Sequence, residues 1–584
     1  MNNLDNLRHS CAHLIAAAVL DLYPEAILTL GPSIENGFYY DFDNLKISEA
    51  DLPAIEAKMH EIVKSWKGFE KEVLSYDQAK KTFAKNPYKL EIIEQYKDQE
   101  LSAYKSGEFS DLCRGGHCEH PDHELKYFKL MSIAGAYWRG DEKNKMLTRI
   151  YGTCWPSQKE LDDYIKKVED NLANDHRVIG KKLDLFAFSD LVGKGLVMYT
   201  PKGTIIKNEL KNALVKISKK YGVQEVNIPH MAKIDLYKIS GHADKFSDEL
   251  FKVVSHYDEE FVLKPVNCPH HTQIYASRQR SYRDLPIRYI ESTQQHRDEK
   301  PGAIGGLYRS RSFEIDDGHT FCTPEQIKQE VINTVKIIEE FYTGLGMWGK
   351  HWVSLSFRDP KTPEKYIGDL SDWEKAQVML QDISDELKLG AKVMIGEAAL
   401  YGPKIDIMLK DALGNDRQLG TVQVDFAMPK RFGLTYISND GSEKTPVMLH
   451  RAILGSYGRF IANLIESTGG AFPIWLAPVQ VAILPISEKH LDYAQKVNEQ
   501  LIASDIRCEL DSRSESLGAK IRDAEMQKIP YIFVLGDKET QAKTVSVRAR
   551  GKKESQDFSL SEFIINIQKE IDSKSNTSTT TSNS

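Results

Sequence analysis

Residues 307–321 read Leu-Tyr-Arg-Ser-Arg-Ser-Phe-Glu-Ile-Asp-Asp-Gly-His-Thr-Phe. If this run is one strand, its period of two sets Arg309, Arg311, Phe313, Ile315, Asp317 and His319 on a single face. Two guanidiniums, a carboxylate and an imidazole make a poor core face, and Arg297 on the preceding run can lie close by. Guanidiniums hold phosphate in bidentate fashion, so a nucleoside triphosphate is a reasonable ligand. The plain alternative is a solvated charged face. A second cluster lies near the N-terminus, where His9-Ser-Cys-Ala-His13 places two imidazoles at i and i+4 on one helix face. Cys113-Arg-Gly-Gly-His117 adds a thiol and a third imidazole, on a loop by virtue of its glycines. Tetrahedral zinc accepts such a set. From chemistry alone a structural zinc site is the leading reading, and a chance surface cluster the next.

Elements must place these residues. Residues 285–297 read as a strand, 298–306 as a Gly- and Pro-containing loop and 307–321 as the returning strand of a long hairpin. Thr323-Pro-Glu-Gln326 is a capping box with proline at the first helical position, opening a helix through Phe341. The first segment begins with an apolar helix over 7–22 and a hairpin-like stretch at 37–42. It ends near Trp155-Pro156, and a charged helical connector over 158–177 follows. The last segment alternates strands (479–485, 507–511, 531–536) with helices (491–502, 519–527), which predicts a small α/β domain with a largely parallel sheet. Ser559-Leu-Ser-Glu562 caps a final helix.

At 584 residues the chain is too long for one ordinary core, so three or four domains are expected. Its 41% hydrophobic and 28% charged content describes a soluble globular protein. No apolar run reaches about 18 residues, and the N-terminus has no secretory pattern, so neither a membrane span nor export is expected. Seven cysteines, an odd number without framework spacing, suit reduced thiols in a cytoplasmic protein. A net charge of −7 does not recommend a general nucleic-acid binder but leaves room for local basic patches. The polar tail from Asn576 is expected to be disordered.

Arg297-Asp-Glu299 resembles motif two of the class II aminoacyl-tRNA synthetases. Val226-Asn-Ile-Pro229 resembles motif one and Gly455-Ser-Tyr-Gly-Arg459 motif three, in the family's order. Lys264-Pro-Val-Asn-Cys-Pro-His-His271, Asp316-Asp-Gly-His319, Tyr401-Gly-Pro-Lys404, Gly420-Thr-Val-Gln-Val-Asp425 and Pro446-Val-Met-Leu-His-Arg-Ala-Ile-Leu-Gly455 are similar to the threonyl-tRNA synthetases within that class. The likeness covers nearly the whole chain.

The resemblance implies a multidomain α+β and α/β fold. An N-terminal α+β editing domain (1–168) and a helical linker (169–183) precede an antiparallel-sheet class II core (184–472). A C-terminal α/β anticodon-binding domain (476–573) and a disordered tail (574–584) follow. It implies activation of L-threonine by ATP with Mg²⁺, transfer to the 3′ end of tRNA(Thr), and a cytoplasmic homodimer. One Zn²⁺ per subunit is implied on Cys268, His319 and His450. By position, Arg297 meets the α-phosphate, Arg309 also binds ATP, and Arg459 holds the γ-phosphate. Asp317 holds the substrate amine, and Tyr401, Lys404 and Gln423 line the amino-acid and adenylate pocket. His9, His13, Cys113 and His117, supported by Lys89 and Asp111, become a pocket that hydrolyses seryl-tRNA. Glu539 and Arg548 match positions that read anticodon bases.

Zinc would have a purpose here. Valine lacks the hydroxyl that completes such a site, whereas serine keeps it and loses only a methyl, worth about 1–3 kcal/mol. A second, hydrolytic sieve is then required. The chain departs from the family in three places: it starts without a ubiquitin-like domain, His270 stands for a glycine, and Gly458 stands for an acidic residue. His270 is expected either to crowd the metal or to bind a second ion. Rival readings are a class II synthetase for proline or serine, a non-catalytic synthetase-like RNA-binding regulator, and a metal-dependent hydrolase in the N-terminal segment.

Overall fold

The computed structural model describes residues 3–141, 143–411 and 414–574. The chain forms two compact units, residues 1–170 and 171–584.

In the first unit the opening helix is Asn3–Leu22. Its middle turns have no polar stripe, and Ala12, Leu14, Ile15, Ala16, Ala18 and Val19 are fully buried. It stops just before Tyr23-Pro24, because proline disfavours continued helix. The helix packs on the strand Gly37–Asp43, where Phe38, Tyr40 and Phe42 enter the core. Arg149 lies over Tyr39 and pairs with Asp41. The sheet runs Ile27–Leu28, Gly37–Asp43, Met146–Trp155, Tyr127–Tyr137, with Ser33–Ile34 beside Gly37–Asp43. A separate antiparallel sheet of Glu70–Leu74, Leu101–Ser106 and Phe109–Leu112 carries Asp111 and leads into Cys113.

The second unit is built on an eight-stranded sheet. Its order is Gln224–Glu225, Ile287–His296, Ser312–Cys322, Val447–Ala452, Asp416–Asp425, Lys404–Lys410, Trp352–Phe357, Lys392–Ile395. Only the two edge strands join in parallel. The helices Pro201–Lys220, Ile327–Thr343 and Tyr457–Thr468 bury Leu210, Leu214, Val335, Ile338 and Phe460 together with Val422, Val424 and Leu449 of the sheet. Gln423 and His450, alternating with those strand residues, face the opposite side. The Thr323 amide donates to Gln326 Oε1 at 2.9 Å, one half of the expected capping box.

The returning strand of the long hairpin starts at Ser312, not at Leu307. Gly306 turns the chain at φ 54°. The Leu307 amide then goes to His176 Nε2 and the Arg311 amide to Gly195 O, both outside the ladder. Arg309 and Arg311 therefore do not share a strand face with Asp317 and His319.

In the C-terminal part, Cys508–Leu510, Val481–Pro485 and Tyr531–Leu535 are parallel. Two strands absent from the sequence reading, Thr544–Ala549 and Gln556–Ser559, extend this sheet antiparallel. Ser559 caps Leu560–Ser573 by accepting from the Glu562 amide. From residue 575 the polar tail lies outside the described residues. Among the described residues no helix is long and apolar enough to cross a membrane.

Candidate active site

Register aligns the central site. Across five strands the partners run Tyr289, His319, His450, Gln423, Lys404 in one line. Cys268 arrives from elsewhere, as the first residue of the helix Cys268–Ala276. One ligand atom from each of Cys268, His319 and His450 falls within 4.8 Å of the others. His319 Nε2 and His450 Nδ1 are 3.1 Å apart. The outer nitrogens are also held: His450 Nε2 lies 2.8 Å from Asp425 Oδ2, and His319 Nδ1 lies 2.7 Å from His271 Nδ1. Asp425 is itself fixed by the amides of Ala427 and Met428 at 2.7 and 2.9 Å.

One thiol and two imidazoles, with a carboxylate behind one imidazole, fit tetrahedral zinc with a free position. Burial pushes the Cys268 thiol well above its usual range, with Asp317 and Asp425 acting the same way. Burial pushes His319 well below its usual range, with His271 and His450 adding to it. A bound dication would reverse the first effect and suit the second.

These three residues share a cavity of about 350 Å³ with Arg297, Asp317 and Tyr401. Gln423 also lines it. Asp317 accepts from Asn267 Nδ2 at 3.0 Å, and burial raises its carboxyl. Arg297 is held by Pro265 O at 3.4 Å and lies over Phe313. Lys404, Arg309 and Arg459 stand outside that lining. Lys404 turns to Asp406 at 2.8 Å and Gln418 at 3.1 Å. Arg309 pairs with Glu299 at 2.7 Å, and Arg459 Nε donates to Tyr308 O at 3.4 Å. Burial lowers Arg459, and Arg297, Arg417 and Arg309 add to it. Four guanidiniums lie near enough to repel one another, a concentration of positive charge that suits an anion.

Two residues missed in the sequence belong here. Arg417 is one. The other is His242, which also lines the cavity. Its Nδ1 lies 2.9 Å from Ser240 Oγ and 3.2 Å from Tyr401 Oη. The Tyr401 hydroxyl donates to Ser240 O. Burial pushes His242 down to about 3, with His450, Arg297 and Arg431 acting the same way. The available signal was Ser240-Gly241-His242, where Gly241 at φ 86° ends a helix and presents the next side chain. His270 is buried, neither ring nitrogen has a partner, and it joins no metal-competent cluster among the described residues.

The N-terminal cluster also assembles. His9 Nε2 lies 3.0 Å from Cys113 Sγ, and His117 Nε2 lies 3.5 Å from it. Ligand atoms of His9, His13, Cys113 and His117 all fall within 4.8 Å. Gly115 and Gly116, at φ 98° and 92°, make the expected loop. Lys89 Nζ lies 2.6 Å from Asp111, which also accepts from the Tyr40 hydroxyl at 2.6 Å. His9, His13, Lys89, Asp111 and Cys113 line a cavity of about 640 Å³. Burial pushes His117 down to about 2 and Cys113 up to about 11, so the cluster is neutral near pH 7.

In the C-terminal part, Glu539 is buried and accepts from the Gly536 amide at 2.8 Å. Arg548 bonds Glu525 and donates to Lys552 O.

Comparison with known proteins agrees with this architecture. Residues 251–468 match the tRNA synthetase class II core domain (G, H, P, S and T), and 480–570 match an anticodon binding domain. Residues 101–151 match the threonyl and alanyl tRNA synthetase second additional domain. The chain is 46% identical to a threonine–tRNA ligase of an Exiguobacterium species, over 98% of this chain and 90% of that one. It is 45% identical to that of Staphylococcus carnosus, over 97% and 88%. The RNA binding domain of threonyl-tRNA synthetase from Cryptosporidium parvum superposes with a TM-score of 0.64 at 35% identity, over 68% of this chain and 98% of that one. A prolyl-tRNA synthetase from the same organism, 19% identical with a TM-score of 0.53 over 68% and 77%, shares the fold alone.

Core, anticodon-binding and second additional domains together define a class II aminoacyl-tRNA synthetase with an editing domain. Within that class, the chain belongs to the threonine–tRNA ligase family.

Proposed function

We propose that the chain joins L-threonine to ATP, releases pyrophosphate, and transfers the threonyl group to the 3′ end of tRNA(Thr). We propose also that its N-terminal unit hydrolyses seryl-tRNA(Thr). One observation carries the reading: Cys268, His319 and His450 converge in the same cavity as Asp317 and Arg297.

Cys268, His319 and His450 would hold a zinc ion, which when bound would supply open coordination for an amine and a hydroxyl. Asp317, held by Asn267, accepts a hydrogen bond from the substrate amine and so orients it. That leaves the threonine carboxylate free to attack the α-phosphorus of ATP while the bond to pyrophosphate breaks. Arg297 balances charge at the α-phosphate, and Arg309 and Arg459 hold the rest of the triphosphate with Mg²⁺. Tyr401, Gln423 and Lys404 border the amino acid and adenylate. In transfer, a hydroxyl of the terminal ribose attacks the acyl carbon and AMP leaves. His242, neutral and oriented through Nδ1, accepts the proton of that hydroxyl.

Valine cannot complete the site, whereas serine can, so His9, His13, Cys113 and His117, with Lys89 and Asp111, serve as the hydrolytic sieve. Glu539 and Arg548 read anticodon bases after exchanging their internal partners for the RNA. The domain boundaries proposed are 1–168, 184–472 and 476–573, in a cytoplasmic homodimer.

The test is amino-acid-dependent pyrophosphate exchange, paired with deacylation of seryl-tRNA(Thr). Exchange is expected with threonine, more weakly with serine, and negligibly with valine. Equal or better exchange with proline or serine overturns the assignment.

A further inference from the structure

Arg309 lies in a loop that has left the sheet, and a histidine outside the catalytic motifs holds that loop. His176 opens the helix His176–Lys182 and is 3% exposed. Both ring nitrogens are engaged. Nε2 accepts the Leu307 amide hydrogen at 3.1 Å, and Nδ1 lies 2.7 Å from Glu466 Oε1. An accepting Nε2 leaves the proton on Nδ1, which therefore donates to Glu466. The His176 amide donates to the same oxygen at 3.2 Å. The other Glu466 oxygen accepts from the Tyr308 hydroxyl at 2.8 Å. The Tyr308 ring meets the imidazole edge-on, with centroids 5.0 Å apart.

Two glycines admit this arrangement. A Cβ on Gly306, which sits at φ 54°, would lie 2.4 Å from His176 Nε2. A Cβ on Gly458 would come within 3.0 Å of the Leu307 carbonyl oxygen. Leu307 is thus held at its N–H by His176 and given room at its C=O by Gly458. The next residues carry that order onward: Tyr308 O accepts from Arg459 Nε at 3.4 Å, and Arg309 pairs with Glu299 at 2.7 Å. Arg417 lies over the Tyr308 ring, 4.4 Å from its centroid.

We propose that His176, acting through Glu466 and Tyr308, is a positioning residue for the nucleotide. It sets the path of residues 306–309 and so places Arg309 and Arg459 for the triphosphate. His176 itself takes no part in the chemical step. A backbone amide that leaves a ladder inside a protein needs an acceptor. Here that acceptor also organises a carboxylate reaching the adjacent tyrosine. Burial of the Glu466 carboxyl group is compensated by donors from both elements. The proposal rests on reading Arg309 and Arg459 as ligands of ATP.

Pyrophosphate exchange with the full, zinc-loaded chain tests it, with KM for ATP and for threonine measured separately. The variants are Tyr308→Phe, His176→Gln and His176→Ala, with Arg309→Ala as the control for the underlying reading. His176→Ala is expected to raise KM for ATP about tenfold and Tyr308→Phe about threefold, with KM for threonine and zinc content unchanged. The double variant is expected to be no worse than His176→Ala alone, because both changes break one chain of contacts. His176→Gln, with an acceptor and a donor of its own, is expected to recover part of the loss. If His176→Ala does not fold, the other two variants decide. A KM for ATP within about twofold of the parent in Tyr308→Phe, and in His176→Ala where it folds, overturns the proposal. So does a parallel rise of both KM values with loss of zinc. If Arg309→Ala leaves KM for ATP unchanged, the nucleotide reading falls first.

Discussion

His319 and His450 stand directly opposite one another on neighbouring antiparallel strands, with ring nitrogens 3.1 Å apart. Cys268 meets them from a helix terminus, so each of the three residues belongs to a different element. Cys268→Ala and His450→Ala are expected to abolish stoichiometric zinc and to cut threonine-dependent exchange at least about 100-fold, while circular dichroism stays that of the parent. Asp425→Asn keeps the first ligands and removes the charge behind His450. Its zinc affinity, read by chelator competition, is expected to fall about 10–100-fold.

His242→Ala is expected to separate the two half-reactions. Single-turnover transfer from preformed adenylate to tRNA slows about 100-fold, within the range of a lost general base. Pyrophosphate exchange slows far less. Equal losses in both would make His242 a binding residue rather than a proton acceptor.

The N-terminal cluster is expected to govern hydrolysis and not synthesis. His13→Ala and Cys113→Ala should lower deacylation of seryl-tRNA(Thr) by about 100-fold or more while leaving threonine-dependent exchange at the parent rate. Loss of exchange in either protein would contradict this division.

Lys89 and Asp111 are each 3% exposed in their side chains, and their charged atoms lie 2.6 Å apart. Lys89→Met strands the carboxylate and should destabilise the N-terminal unit by about 3–5 kcal/mol. Lys89→Met with Asp111→Asn should cost less than Lys89→Met alone. Thermal melting of the single and double variants checks the order.

Acid should weaken the same unit. Burial holds His13 well below the usual 6.5 and His117 near 2. The folded chain therefore binds fewer protons than the unfolded chain between about 6.5 and those lower values. Stability is full above about 6.5 and declines as pH falls below it. Urea midpoints at several pH values should show a decline that is shallower in His117→Phe, whose ring would stack on Phe69 as the imidazole does. A midpoint that is flat or rises toward acid contradicts the assignment.

The sequence made some of this legible for identifiable reasons. Asp317 and His319 share a strand face that lines the cavity, as the period of two and the polar residues on that face imply. Arg309 was misplaced because Gly306 turns the chain and His176 takes the Leu307 amide, a partner 131 positions away. Cys268, His319 and His450 have no readable spacing, because strand register brings the two histidines together and a helix terminus brings Cys268; motif resemblance alone pointed to them. His9, His13, Cys113 and His117 were legible as a set because helical spacing and a glycine loop are local signals. Arg417 lacked both kinds of signal, and His242 offered only the glycine that ends a helix just before it. Gln556–Ser559 is short and largely polar, whereas Thr544–Ala549 carries a legible alternation, with Val545, Val547 and Ala549 buried, that went unused.

The strand Ser312–Cys322 turns Asp317 and His319 toward the cavity. On its other side Asp316 accepts from the Ile453 and Leu454 amides, and Gly318 lies against Arg451. Recognition and construction are therefore interleaved residue by residue. Inserting or deleting one amino acid here would exchange the two sides and destroy both at once. Within residues 312–322, substitution at fixed length keeps both sides where a change of length does not.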